Sequence, residues 1–142
     1  MRVLAILVGV LALTACGGKK TASAPEVVRA WSAALDRNDN EQAANLFAPG
    51  AKIIQNGEVI LATHADAVGW NAALPCGGHI SRLEVRGKNE VLAVFELDER
   101  PGHTCDGPGA QAATIFQVEH GRIVLWHQTP VPEQLTPGGQ VI

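Results

Sequence analysis

Tyrosine is missing from this 142-residue chain, and aromatic side chains of any kind are scarce, with three tryptophans and three phenylalanines. Without a phenol, tyrosine-based proton transfer is excluded. Basic residues are few as well: 11 Lys and Arg stand against 14 Asp and Glu, for a net charge of −3. A nucleic-acid surface needs clustered cations to neutralise phosphates. No basic run or patch occurs here, so nucleic acid is not an expected partner. The chain also lacks the P-loop, the dinucleotide fingerprint, the G-x-S-x-G elbow, the H-E-x-x-H helix and the thioredoxin-type C-x-x-C. Those absences remove the common nucleotide, hydrolase and zinc-protease chemistries that sequence can announce, and no cofactor is expected. A membrane-spanning helix takes about 20 apolar residues, and the apolar run from Val3 to Leu13 stops well short of that.

What that run does have is the layout of a secretory signal peptide: a basic start at Arg2, a short apolar stretch, then small residues. An N-terminal core helix is the competing reading, but Gly17, Gly18, Lys19 and Lys20 follow at once and cap nothing apolar. Leu13-Thr14-Ala15-Cys16 also resembles the lipobox of bacterial lipoproteins. That resemblance implies cleavage before Cys16, acylation of the Cys16 thiol and of the new amino terminus, and anchoring to a membrane outside the cytoplasm. Residues 1–15 are then the signal peptide, 16–24 the lipidated cysteine with a small, polar tether, and 25–142 a single folded domain. Setting Arg2, Lys19 and Lys20 aside, the domain keeps eight basic residues against 14 acidic ones.

Two cysteines remain, Cys76 and Cys105. Cys105 sits in ERPGHTCDGPG, a turn-rich loop where a free, apolar thiol would be hard to bury. In an oxidising compartment two such cysteines pair. The alternative is metal capture, since Cys76-x-x-His79 and His103-x-Cys105 supply two thiols and two imidazoles.

Pattern and punctuation give an element order. A helix opens at Ala24-Pro25-Glu26 with an apolar stripe of Val27, Ala30, Trp31, Ala34 and Leu35. A second, short helix runs from Glu41 to Phe47 and ends at Pro49-Gly50. Residues 51–55 and 58–61 form a hairpin about Asn56-Gly57. Thr63 and Asp66 cap a third helix that reaches about Leu74, with Val68, Trp70 and Leu74 facing inward. Four strands follow, over residues 79–86, 90–98, 112–119 and 122–129. Helices first and an antiparallel meander afterwards make an α+β domain.

That order, the AW-x3-L-x-R-x-D stretch of the first helix, NLFAPGAKI at 45–53 and HGRIVLWHQ at 120–128 resemble the NTF2-like superfamily in its SnoaL-like branch. The resemblance covers nearly all of residues 25–132. It implies a cone, with three N-terminal helices packed on a curved antiparallel or mixed sheet and a pocket between them. In that fold Cys76 precedes the third strand and Cys105 follows the fourth. The two strands pair as a hairpin, so both cysteines reach one sheet edge, within range of a disulfide.

The resemblance also implies pocket residues: Trp31, His64, Trp70, Phe95, Phe116, Gln117, Trp126 and His127. His127 and Asp66 are the candidate acid/base groups. Strand alternation sends Trp126 and His127 to opposite faces and leaves open which one points inward. Relatives with ketosteroid isomerase or dehydratase chemistry use tyrosines that this chain lacks. Non-catalytic binding of a small apolar ligand, or of a partner protein, is therefore the expected function. A SnoaL-like isomerase or hydrolase is the alternative, and metal binding the second alternative. A homodimer through the outer sheet face, using Leu92 and Val94, is also expected from the superfamily.

Overall fold

The computed structural model describes residues 17–133. The expected signal peptide, the lipidation site Cys16 and residues 134–142 lie outside the described residues. The elements are α1 (Ala24–Asp36), α2 (Asn40–Asn45), β1 (Phe47–Ile54), β2 (Glu58–Leu61), α3 (His64–Ala73), β3 (Gly77–Val85), β4 (Glu90–Asp98), β5 (Gln111–Glu119) and β6 (Arg122–Thr129). The six strands form one sheet in the order β2-β1-β6-β5-β4-β3. β1 lies parallel to β6, and every other pairing is antiparallel. The fold is α+β, as expected: helices over one face of a mixed sheet. Register shifts between Phe47 and Lys52, Ile80 and Arg82, and Gln117 and Val118 interrupt three of the pairings. Such bulges bend strands and raise their twist, which curls the sheet around the helices.

α1 begins with a capping box. The Ser23 backbone N–H and its hydroxyl both donate to Glu26 Oε2, each at 2.7 Å. Pro25 fits the first turn, where an N–H has no helical partner. The buried stripe is Val27, Val28, Trp31, Ser32, Ala34 and Leu35. It includes Val28 in place of the expected Ala30, which is exposed. Ahead of the helix, Thr21 and Ala22 run beside the β5–β6 turn, where a Cβ on Gly121 would lie 3.2 Å from Thr21 Cγ2.

The second helix is shorter than its pattern suggested. It ends at Asn45, and β1 starts at Phe47 and passes straight through Pro49-Gly50. The reason is tertiary. β6 offers a parallel partner, with Ile123 N–H donating to Leu46 O at 2.7 Å and Phe47 opposite Ile123. Pro49 falls inside the register shift, where its missing N–H costs no ladder bond. Gly50 takes a φ of 82°, which the bulge requires.

The scarce aromatics are all spent in one place. Trp31, Phe47, Trp70, Phe95, Phe116 and Trp126 form a continuous cluster on the concave face, with ring centroids between 5.0 and 6.4 Å apart. Val91, Ala93 and Phe95 of β4 join the same core. Leu92 and Val94, on the other face, are also buried, against Ala113, Ile115 and Val131. The chain that follows β6 covers them. They are therefore not the open apolar patch that a dimer through the outer face would use. Among the described residues no helix is long and apolar enough to cross a membrane.

Candidate functional site

The helices do not fill the cone. A cavity of about 280 Å³ opens at the end where β3 begins and β4 ends. α1 contributes Trp31, Ser32 and Leu35, and the sheet contributes Phe95, Thr114, Trp126 and Gln128. Pro75, Cys76 and Asp106 form part of the rim. Deeper in the cone Trp31 packs on Phe116 and Trp126 packs on Trp70, with centroids 5.4 and 5.0 Å apart.

The mouth is shaped by residues that sequence reading did not single out. Asp36 Oδ1 accepts from Gly78 N–H at 2.7 Å, while Ser32 Oγ donates to Gly78 O at 3.1 Å. Both polar backbone groups of Gly78 are thus tied to α1, and this tie sets how closely helix and sheet approach. Arg100, in the loop after β4, is only 2% exposed. Its Nη1 donates to Asn71 O at 2.9 Å and Leu74 O at 3.0 Å. Its Nη2 donates to Asn38 Oδ1 at 2.7 Å and Asn40 Oδ1 at 2.6 Å. One guanidinium thus caps the C-terminal carbonyls of α3 and anchors the α1–α2 linker. Burial lowers the Arg100 pKa, and the nearby Asp36 charge opposes that shift. Asn71, wholly buried, accepts from Trp31 Nε1 at 2.8 Å and donates to Ala67 O at 2.8 Å, which fixes the indole that walls the cavity. Of all these, the lone arginine that follows Glu96, Asp98 and Glu99 offers a faint sequence signal. The asparagines and Ser32 offer none, because polar residues at helix ends usually face water.

Cys76 and Cys105 are joined as a disulfide, with Cα atoms 4.5 Å apart. Gly77 pairs with Asp98, so the start of β3 does lie beside the end of β4. The bridge holds the 99–110 loop against the segment that follows α3. This overturns the metal reading. Sγ atoms of Cys76 and Cys105 and a carboxylate oxygen of Asp106 lie within 4.8 Å of one another, but disulfide sulfurs carry no thiolate. The two histidines of that set are engaged elsewhere. His79 is exposed and faces Glu96 at 3.6 Å. His103 Nε2 lies 2.8 Å from Ala72 O.

Of the eight expected pocket residues, Trp31, Phe95 and Trp126 line the cavity. Phe116 and Trp70 stand behind that wall, in the aromatic cluster. The other three are placed elsewhere. His64 is exposed on the first turn of α3, 2.8 Å from Glu41 Oε2. Gln117 is exposed and donates to Glu90 at 3.3 Å. His127 lies opposite Ile115, on the face that holds Leu92 and Val94, because Trp126 takes the inward position. Asp66 serves as the α3 cap, its Oδ2 accepting from Thr63 N–H at 2.9 Å while its own N–H donates to Thr63 Oγ1 at 3.1 Å. Neither expected acid/base candidate therefore reaches the cavity. Among the described residues the cavity wall carries one titratable side chain, Asp106, at its exposed edge.

A wider, more open groove of about 480 Å³ lies on the convex face, over Val94 and between Ser81, Gln111 and Val131. Its charged walls are Arg82, paired with Glu84 at 3.1 Å between Nε and Oε1, and Glu133. It lacks the aromatic walls of the concave cavity.

No family model matches the chain, and no curated protein matches it closely enough to count as a relative. Solved structures do. An NTF2-like protein of unknown function from Cytophaga hutchinsonii superposes with a TM-score of 0.63 at 13% identity, covering 78% of this chain and 92% of that one. A protein from Sphaerobacter thermophilus gives 0.60 at 18% identity, over 78% of this chain and 98% of the other. A protein with a ketosteroid isomerase-like fold from Catenulispora acidiphila, in complex with trimethylamine, gives 0.58 at 19%, over 76% and 87%. At these identities the likeness concerns the path of the chain alone: this protein has the NTF2-like fold.

Proposed function

We propose that this protein binds a small, largely apolar molecule in the cavity between α1 and the sheet, without catalysing its conversion, and that an acylated Cys16 holds it to a membrane outside the cytoplasm. The observation that carries the binding reading is the wall: two tryptophans, a phenylalanine and leucine side chains around about 280 Å³. Largely apolar walls with a few fixed polar groups are the usual form of a small-molecule site. The binding role is favoured over the enzymatic one by the placement of His127 and Asp66, both remote from the cavity. The anchor rests on the Leu13-Thr14-Ala15-Cys16 sequence alone.

The binding reading is tested by native mass spectrometry of the protein purified from its own membranes. A retained compound is expected. It should be absent from an Ala112→Trp variant, which fills the cavity from the half-buried wall of β5. Equal recovery of the compound from both proteins would place it elsewhere and refute the reading. The anchor is tested by feeding an alkyne-tagged fatty acid: label should enter the wild-type chain and be lost on Cys16→Ser.

A further inference from the structure

Buried polar groups in native proteins nearly always have a partner, and a tryptophan N–H is no exception. Trp31 obeys that rule by donating to Asn71. Trp126 does not. It is 5% exposed, lines the cavity, and its Nε1 is buried with no hydrogen-bond acceptor among the described residues. Its ring is set by Phe116 opposite it on β5 and by Trp70, 5.0 Å away on α3. Its aromatic neighbours supply no acceptor, and the polar side chains that share the cavity wall, Gln55, Thr114 and Gln128, make no hydrogen bond to it.

The charge of the wall narrows the choice of an external acceptor. Among the described residues no lysine, arginine or histidine lines the cavity, and Asp106 places a carboxylate at its rim. An anionic ligand would enter past a like charge and then lie without a cationic partner in a mostly apolar hollow, which is unfavourable. A cationic ligand would suit Asp106 but would leave the indole N–H without an acceptor. At the ~30 Å³ a water occupies in the liquid, a cavity of about 280 Å³ holds on the order of ten non-hydrogen atoms.

We infer that the ligand is a neutral, compact, mostly apolar molecule with one hydrogen-bond-accepting oxygen that takes the indole N–H of Trp126. This inference rests on the binding reading above. It assigns Trp126 a second role beyond packing, as the donor that orients the ligand.

The test uses three probes of one size on the full chain: acetophenone, ethylbenzene and benzoate. Dissociation constants are measured by NMR titration, with the Trp126 indole resonance assigned in the wild-type chain from its NOE contacts to Phe116 and Trp70. Acetophenone is expected to bind about tenfold more tightly than ethylbenzene, equivalent to about 1.4 kcal/mol, and benzoate more weakly than either. Trp126→Phe should remove the preference for acetophenone over ethylbenzene. In the wild-type chain the Trp126 indole proton should move downfield with acetophenone and not with ethylbenzene. That shift decides the matter even if the variant fails to fold. Equal affinity for acetophenone and ethylbenzene, or benzoate binding as tightly as acetophenone, overturns the inference and leaves the cavity reading intact. Failure of all three probes overturns the cavity reading itself, and the inference with it.

Discussion

Replacing Arg100 by methionine removes the guanidinium but keeps a flexible apolar stem of similar reach. Four acceptors lose their donor: Asn71 O, Leu74 O, Asn38 Oδ1 and Asn40 Oδ1. Asn71 O is buried, and an orphaned buried acceptor costs about 1–3 kcal/mol. The other three are half-buried, so water replaces the arginine in part, at about 0.5–1 kcal/mol each. Relief of the guanidinium's own desolvation works the other way, as shown by its lowered pKa. The expected net loss is about 3 kcal/mol, a large fraction of the ~5–15 kcal/mol that holds a domain of this size together. At about 4 °C per kcal/mol for a domain of roughly this length, the melting temperature should fall by about 12 °C. Thermal unfolding followed by far-UV circular dichroism measures it. Arg100→Lys should fall between the two, because an ammonium cannot span four acceptors with a planar fork. A methionine variant that melts within about 3 °C of wild type, a shift worth under ~1 kcal/mol, would refute the account of Arg100 as the tie between α3, the α1–α2 linker and the β4 loop.

Three other outcomes follow from the same geometry. Replacing both Cys76 and Cys105 by alanine opens a loop spanning 29 positions. The chain-entropy relation gives about 3.6 kcal/mol of lost stability for that length, read as a lower urea midpoint, and a double variant as stable as wild type would contradict it. Gly78→Ala should destabilise strongly, since the new Cβ would lie 2.5 Å from Glu96 O in the neighbouring strand at a backbone φ of 155°. A correctly folded Gly78→Ala protein with an unchanged melting temperature would show that β3 and β4 lie farther apart than described. The Glu26 pKa is lowered by its hydrogen bonds from the Ser23 side chain and backbone. A depressed folded-state value means the cap's contribution is present above the ordinary glutamate range and fades as pH falls through the lowered value. The first turn of α1 should therefore fray in acid, read as faster amide exchange at residues 26–28. Ser23→Ala should raise the Glu26 pKa measured by NMR, and no rise would count against the cap.

The expected elements agree with the structure where the signal was local. β4 and β6 have the expected bounds, and the Thr63–Asp66 box opens α3 as read. Each depends on neighbours in sequence, by alternation in the strands and by cap spacing in the helix. The second helix was over-extended because the parallel pairing of β1 with β6, which starts a strand at Phe47, leaves no mark on residues 41–55. The pocket was legible only in its aromatic part. Trp31, Phe95 and Trp126 follow from the family resemblance, which left open whether Trp126 or His127 of β6 turns inward. His64, Gln117 and His127 were misplaced because a polar residue's sequence does not say which face of its element is buried.

By itself the sequence determined the class of the domain, its cap chemistry, its charge and the availability of two cysteines for one bridge, because these follow from composition and from contacts within a few residues. Tertiary structure alone decided that Trp126 rather than His127 turns inward, that the six aromatics merge into one cluster, that Arg100 is buried as a tie and that a hollow of limited size survives at one end. Those outcomes depend on the register of strands far apart in the chain. A shift of one residue would exchange the two faces of a strand, and no local pattern carries that information.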